Sequence, residues 1–247
     1  MAGRLEGKIA FITGAGSVGP GWGNGRATAI RFAQEGAKVF ATDIDLANLD
    51  ETLKLAGDAA QNITTSKLDI FKASAIEESI QACIQKFGPI DILVNVVGGS
   101  AKGGPVEMTE EVWDAQVDFN LKSVFLTCKY VLPEMIKREK GSIINFASTS
   151  GTRWTGSAQI AYAATKAGVI QFSKVLAVQY AKQNIRVNTI VPGQLHTPMV
   201  ETRLAKQRVG GDVEMLLKQR QSRIPLPFMG DGRDTANAAL FLASDES

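Results

Sequence analysis

The sequence predicts an α/β fold: a doubly wound parallel sheet with helices on both faces. Three observations predict it. Short apolar runs alternate with longer stretches of helical spacing along the whole chain. Most of the runs carry few charges, as strands buried on both faces do. A glycine-rich stretch, TGAGSVGPGWGNGRA at 13–27, lies between the first run and the first helical stretch.

In chain order, the strands are expected at 8–12, 38–41, 63–68, 90–95, 141–147 and 185–191, and the helices between them at 25–35, 47–59, 73–87, 109–137 and 162–182. Residues 195–228 hold charges, Gly210-Gly211 and three prolines with little strand pattern, as a weakly helical lid or loop would. A last helix follows at 231–243, with Asp231 as its cap. With no linker, repeat or low-complexity segment, residues 1–247 are expected to form one domain.

Composition excludes several classes. A net charge of +2 implies neither nucleic acid nor an anionic membrane as partner. No apolar run is long enough to span a bilayer, and the first residues lack a signal-peptide core, so the cytoplasm is the expected location. Cys83 and Cys128 have no metal or redox spacing, and no His/Cys/carboxylate cluster points to a metal.

Six of the fifteen residues at 13–27 are glycine. Between a strand and a helix, glycines let the backbone approach a pyrophosphate, and the helix start stabilises the anion. Gly14-x-Gly16-x-x-Gly19 matches the dinucleotide fingerprint literally, but Pro20 and Gly21 interrupt any helix there. Helical spacing begins at Gly25, so the phosphate contacts are assigned to Gly14, Gly23, Asn24 and Gly25, with 16–22 mostly an inserted bulge. A ligand-free flexible turn is the alternative. Asp43 lies twenty residues after Gly23, where a carboxylate accepts from the adenosine ribose hydroxyls and repels a 2′-phosphate. With Ile44 beside it, the cofactor reads as NAD, with NADP less favoured. The alternative role of Asp43, a helix cap, suits Asp45 better.

Among three tyrosines, only Tyr162 has a lysine four residues on, Lys166. On a helix the two share a face, and the ammonium favours the phenolate. Such a phenol exchanges a proton with an alcohol or ketone near neutral pH. Taken alone, the pair reads more commonly as a surface Tyr–Lys contact. Small neighbours, Ala161, Ala163, Ala164, Ala167 and Gly168, would admit a cofactor or another helix.

With these residues in order, the chain resembles the short-chain dehydrogenase/reductase family over nearly its whole length. The resemblance rests on Thr13-Gly14 with Gly23-Asn24-Gly25, Asp43, Leu68-Asp69-Ile70, Asn95-Val96-Val97-Gly98, Asn120, Ser148, Tyr162-x-x-x-Lys166 and Pro192-Gly193 with Thr197. It implies a Rossmann fold with Tyr162 as general acid/base. Lys166 would hold the nicotinamide ribose, Ser148 the substrate oxygen, and Asn120 a relay water. Asp69 and Ile70 would bracket the adenine. Asn95 falls within the cofactor-binding set but suits a role steadying the central strand better, with Val97 and Gly98 lining the cofactor. Pro192, Gly193, Leu195 and Thr197 would meet the nicotinamide end.

The sequence departs from the family pattern in four places. The glycine loop is longer by about five residues. Val96-Val97 replaces Asn-Ala. The span from Ser148 to Tyr162 has one extra residue, which leaves Thr149 or Ala147 as competitors for the place of Ser148. The family continues past the position of Ser247 into one more strand, often part of tetramer contacts.

The expected activity is hydride transfer between NAD(H) and a small secondary alcohol or ketone, in a homo-oligomer (tetramer or dimer). The alternatives are a catalytically silent dinucleotide sensor, a 3-oxoacyl reductase using NADPH, and a lyase or epimerase with a transient hydride step. His196, the only histidine, reads as a polar loop residue or a substrate contact, and Trp154 as a pocket wall or a subunit contact. Arg203, Lys206 and Arg208 offer charge for an acidic group.

Overall fold

A computed structural model describes residues 3–247, without the side chain of Arg208. Six strands form one parallel sheet: β1 (Ile9–Thr13), β2 (Lys38–Asp43), β3 (Ile63–Lys67), β4 (Ile92–Asn95), β5 (Gly141–Phe146) and β6 (Ile185–Ile190). Their order across the sheet is β3-β2-β1-β4-β5-β6. The direction of winding reverses between β1 and β4, and ligands bind outside the carboxyl ends of the strands at such a point.

Alternation along each strand sends side chains to two cores. Ala10 and Ile12 of β1, Ile92 and Val94 of β4, and Ile144 and Phe146 of β5 face a core with Ala29, Phe32, Ala239 and Leu240. Those four belong to α1 (Asn24–Gln34) and α9 (Gly232–Ala243). Ile9, Phe11, Leu93 and Ile143 face the opposite core. There they meet α3 (Ala73–Phe87), α5 (Ser123–Arg138) and α6 (Ile160–Gln179) through Ile80, Met135 and Val169. Each Val, Leu, Ile, Phe or Met among them contributes about 1.5–3 kcal/mol by leaving water. Cys83 and Cys128 lie in this second core, where burial pushes both thiols up to about 12.

Three expected helices differ in extent. The helix α2 (Leu46–Ala56), capped by Asp45 as expected, ends at Gly57, whose φ of 56° leaves the helical region. The long helix expected at 109–137 is divided into α4 (Glu110–Val117) and α5 by a π-helical turn, Asp118–Lys122. Asn120 supplies the reason: its Nδ2 donates to the Gln116 carbonyl at 3.1 Å, competing with the backbone for that acceptor. Helix α6 starts two residues before Tyr162 and stops at Gln179. The 195–228 segment folds into a π-helical turn (Val200–Leu204), α7 (Ala205–Val209) and α8 (Val213–Gln221) around its own small core of Val200, Ala205 and Leu216. Helix α9 begins with a capping box between Asp231 and Asp234. Among the described residues, no helix is long and apolar enough to cross a membrane, and no group of three His, Cys, Asp or Glu is placed to hold a metal.

Candidate active site

A cavity of about 520 Å³ runs along the carboxyl ends of the strands at the winding reversal. Its first wall is the glycine loop and the start of α1. Gly14, Gly23, Asn24 and Gly25 line it as expected. Gly25 is required there by close approach, since a Cβ would sit 1.8 Å from the Gly14 carbonyl oxygen. Gly16, Ser17 and Val18, from the inserted stretch, also line it.

The buried Arg26 holds the rest of that insertion. Its guanidinium donates to the carbonyls of Gly19 (3.1 Å), Gly21 (2.8 Å) and Asn48 (3.1 Å) and to Thr52 Oγ1 (3.2 Å). Burial lowers its pKa, opposed by the charges of Glu51 and Asp43. Trp22 then meets α9, with its carbonyl accepting from Gly232 N and the Arg233 guanidinium over its ring at 5.4 Å.

At the far end, Asp43 ends β2 on the cavity wall. Its Oδ2 accepts from Gly16 N at 3.1 Å and its Oδ1 from Asp45 N at 3.2 Å. Asp69 and Ile70 line the same cavity. Beside them Phe71 and Phe119 stack at 5.3 Å, a wall the sequence reading missed. Its only sequence signal was one aromatic adjoining Ile70 and another adjoining Asn120.

At the near end lie Val97, Gly98, Tyr162, Lys166 and Thr197. Lys166 is buried on α6, its Nζ donating to the Phe146 carbonyl at 2.8 Å and standing 5.8 Å from the Tyr162 ring centre. Desolvation lowers its pKa to about 8. A Cβ on Gly98 would sit 2.8 Å from both Lys166 Nζ and Asn120 Oδ1, so the three residues converge. Asn120 is fully buried, with its Oδ1 accepting from Gly99 N at 3.0 Å and its Nδ2 donating to Gly99 O at 3.1 Å.

A second cavity of about 140 Å³ adjoins the first. Ser148, Pro192, Gly193 and Leu195 line it. Tyr162 and Thr197 line both cavities, so the phenol stands at their junction. Ser148 Oγ accepts from Ser150 N at 3.2 Å at the end of β5. Thr149, its competitor, is on the same wall. Gln159, Gln194 and Arg220 complete the wall.

Asn95 is the one expected cofactor residue that structure removes from both walls. Its side chain donates to Asn145 Oδ1 at 2.9 Å and accepts from Thr127 Oγ1 at 2.8 Å inside the sheet. It steadies the strands, as the alternative role proposed for it requires. At the Val96-Val97 departure, Val96 N donates to Thr13 Oγ1 at 3.1 Å. His196 lies outside both cavities with Nε2 2.7 Å from Glu201 Oε1, and Trp154 is 74% exposed. Arg203 lines the larger cavity, while the side chain of Arg208 is outside the described residues.

The arrangement fits a nicotinamide dinucleotide: a glycine cradle at a helix start, a carboxylate at the end of β2, and a Tyr–Lys pair at the other end. Fold and site together define a dinucleotide-binding oxidoreductase.

Comparison with known proteins narrows the class. A family model described as enoyl-(acyl carrier protein) reductase matches residues 20–247. The chain is 43% identical over 244 residues to the 3-oxoacyl-[acyl-carrier-protein] reductase FabG of Thermotoga maritima, covering 99% of this chain and 93% of that protein. It is 39% identical to the 2-keto-3-deoxy-L-fuconate dehydrogenase of Xanthomonas campestris pv. campestris, covering 99% of this chain and 76% of that one. A crystal structure assigned to the short-chain dehydrogenases/reductases, from Burkholderia xenovorans, superposes with a TM-score of 0.95 at 57% identity, covering 99% of this chain and 92% of that one. An actinorhodin polyketide ketoreductase variant solved with NADPH superposes with a TM-score of 0.89 at 30% identity, covering 100% and 93%. The chain belongs to the short-chain dehydrogenase/reductase family of oxidoreductases.

Proposed function

We propose that the chain is an NAD(H)-dependent oxidoreductase interconverting a small secondary alcohol and its ketone, with 195–228 as its substrate lid. The observation that carries this reading is Tyr162 at the junction of the two cavities, with Ser148 and Lys166 beside it. When bound, the nicotinamide gives or accepts the hydride. Tyr162 moves the proton to or from the substrate oxygen. Lys166, held by the Phe146 carbonyl and charged below about pH 8, favours the phenolate. Ser148 stabilises the charge that develops on the substrate oxygen. Asn120, pinned at Gly99, keeps the π-helical turn open behind Lys166, where the family resemblance implies a relay water.

The choice of NAD rests on Asp43. Its carboxylate lines the ribose end with Ile44 and Asn48. The cations lining that cavity are Lys166 and Arg203. Lys166 stands beside Tyr162, and Arg203 Nη1 would lie 3.8 Å from a Cβ on Gly99. Arg26 is engaged by the loop carbonyls. Among the residues that line this cavity, a 2′-phosphate would meet the Asp43 carboxylate. Reduction of a 3-oxoacyl group with NADPH is the second reading, favoured by the similarity to FabG.

Steady-state assays with NAD+ and NADP+ across a panel of secondary alcohols and ketones test the proposal. The expected result is NADH formation with kcat/KM for NAD+ at least tenfold above that for NADP+, a ratio of about 1.4 kcal/mol. Preference for NADP+ would contradict the cofactor assignment. Tight NADH binding without turnover would point to the sensor, and product with no net NADH to the lyase or epimerase.

A further inference from the structure

The smaller cavity has polar side chains along the wall that holds Ser148 and Tyr162. Most of them are engaged within the protein. Ser150 Oγ lies 3.1 Å from Thr155 Oγ1, and Gln159 Nε2 donates to Ser150 Oγ at 2.8 Å and to Thr155 Oγ1 at 3.1 Å. Arg220 of α8 donates from Nη2 to the Leu195 carbonyl at 3.0 Å.

Gln194 is different. It lines this cavity from the loop after β6, and its Oε1 is a buried acceptor with no hydrogen-bond partner. Among the described residues, no other side-chain acceptor of this wall is buried and unpaired. The backbone on both sides of Gln194 is pinned: the Pro192 carbonyl accepts from Thr149 N at 3.1 Å, and His196 N donates to the Gly230 carbonyl at 2.8 Å. A buried acceptor left unpaired costs free energy that a substrate donor recovers. A hydroxyl suits that place because it brings one proton and no charge. An ammonium would bring three protons and a charge to a single acceptor. The volume, about 140 Å³, is well below the roughly 300–1,000 Å³ of sites for drug-sized ligands, and suits a short carbon frame.

We propose that the substrate is a small polyhydroxy alcohol, or the hydroxyketone formed from it, with one hydroxyl reacting at Tyr162 and Ser148 and a second donating to Gln194 Oε1. The assignment rests on the oxidoreductase reading above and adds the substrate class. The reacting carbon loses a hydride to the nicotinamide, and its hydroxyl loses a proton to Tyr162. The second hydroxyl undergoes no bond change. It orients the reacting carbon toward Tyr162 and Ser148, which share the cavity wall with Gln194.

The test measures reduced cofactor formed, with NAD+ and with NADP+, from small 1,2- and 1,3-diols and from the matching alcohols that lack the second hydroxyl. Wild-type protein is expected to prefer the best diol over its mono-ol by about 30-fold in kcat/KM, as a site built around a substrate hydroxyl does. Gln194→Leu removes the acceptor and is expected to lower that preference to about threefold or less, mainly through KM for the diol. Gln194→Glu keeps an acceptor at the same reach and is expected to retain most of the preference. The wild-type preference stands as a test even if Gln194→Leu fails to fold. A mono-ol used as well as its diol overturns the proposal. So does a preference that Gln194→Leu leaves unmoved, which would make Gln194 a structural part of the loop only. Turnover of the mono-ols without the diols sinks the second-hydroxyl assignment alone. No reduced cofactor from either group sinks the alcohol–ketone reading with it.

Discussion

The two ends of the site are built differently. The glycine-loop end is made by backbone: Gly25 against the Gly14 carbonyl, amides at the start of α1, and loop carbonyls gathered by Arg26. It sits on strands buried on both faces. The Ser148–Arg220 end is made by side chains from four separate places: the end of β5, α6, the loop after β6, and α8. The 195–228 segment has its own small core. Backbone geometry tolerates little variation, which suits a constant cofactor. Side chains on loops and short helices vary freely, which suits a substrate that differs among relatives on one scaffold.

Substitutions separate the two ends. The largest effect belongs to Tyr162→Phe, which removes the proton carrier and keeps the ring. Turnover is expected to fall by about 10³–10⁴-fold while NADH affinity, read by fluorescence titration, changes less than about threefold. Equal loss of both would mean that the ends are not separable. Gly25→Ala breaks the other end, since its methyl would lie 1.8 Å from a backbone oxygen. It is expected to cost about 3 kcal/mol of stability and to weaken NADH binding, read by urea denaturation and the same titration.

A pH experiment sharpens the comparison at Lys166. Burial depresses its pKa to about 8 in the folded chain, below its unfolded value. Between those two values the unfolded state binds more protons, so stability rises with pH across that window. Below about pH 8 the folded state bears the full cost of the buried charge. The cofactor-free protein, compared with Lys166→Met, is expected to gain about 3 kcal/mol between about pH 7.5 and pH 10.5, read by urea denaturation at each pH. A flat difference would show that the lysine is not desolvated. The smallest effect is expected from Asp231→Ala, which removes the cap of α9 behind the glycine loop. It should lower stability by about 1 kcal/mol, read by the urea midpoint, with turnover little changed.

The same contrast decides what was legible in the sequence. The sheet was legible because strands buried on both faces leave runs without charged residues, such as Ile9–Thr13 and Gly141–Phe146. The Asp231 cap was legible because capping is local. The division of the helix at 118–122 was not, because the Asn120 side chain that competes for the Gln116 carbonyl is held in place by Gly99, 21 residues away. The lining role of Gly16, Ser17 and Val18 was obscured by the length of the loop, whose path is set by Arg26 from within α1. Asn95 carried two readings in sequence, and only its partners Asn145 and Thr127 separate them. Arg220 gave no signal at all, since its place at the cavity depends on how the 195–228 segment folds back on Leu195.

The central claim is that one dinucleotide spans both ends, with its adenosine ribose on Asp43 and its nicotinamide beside Tyr162. A crystal structure of the NADH complex measures this directly. Both ribose hydroxyls are expected within hydrogen-bond distance of the Asp43 carboxylate, with the nicotinamide against the smaller cavity. Cofactor bound in the reverse direction, or held without contact to Asp43 and Tyr162, would contradict it.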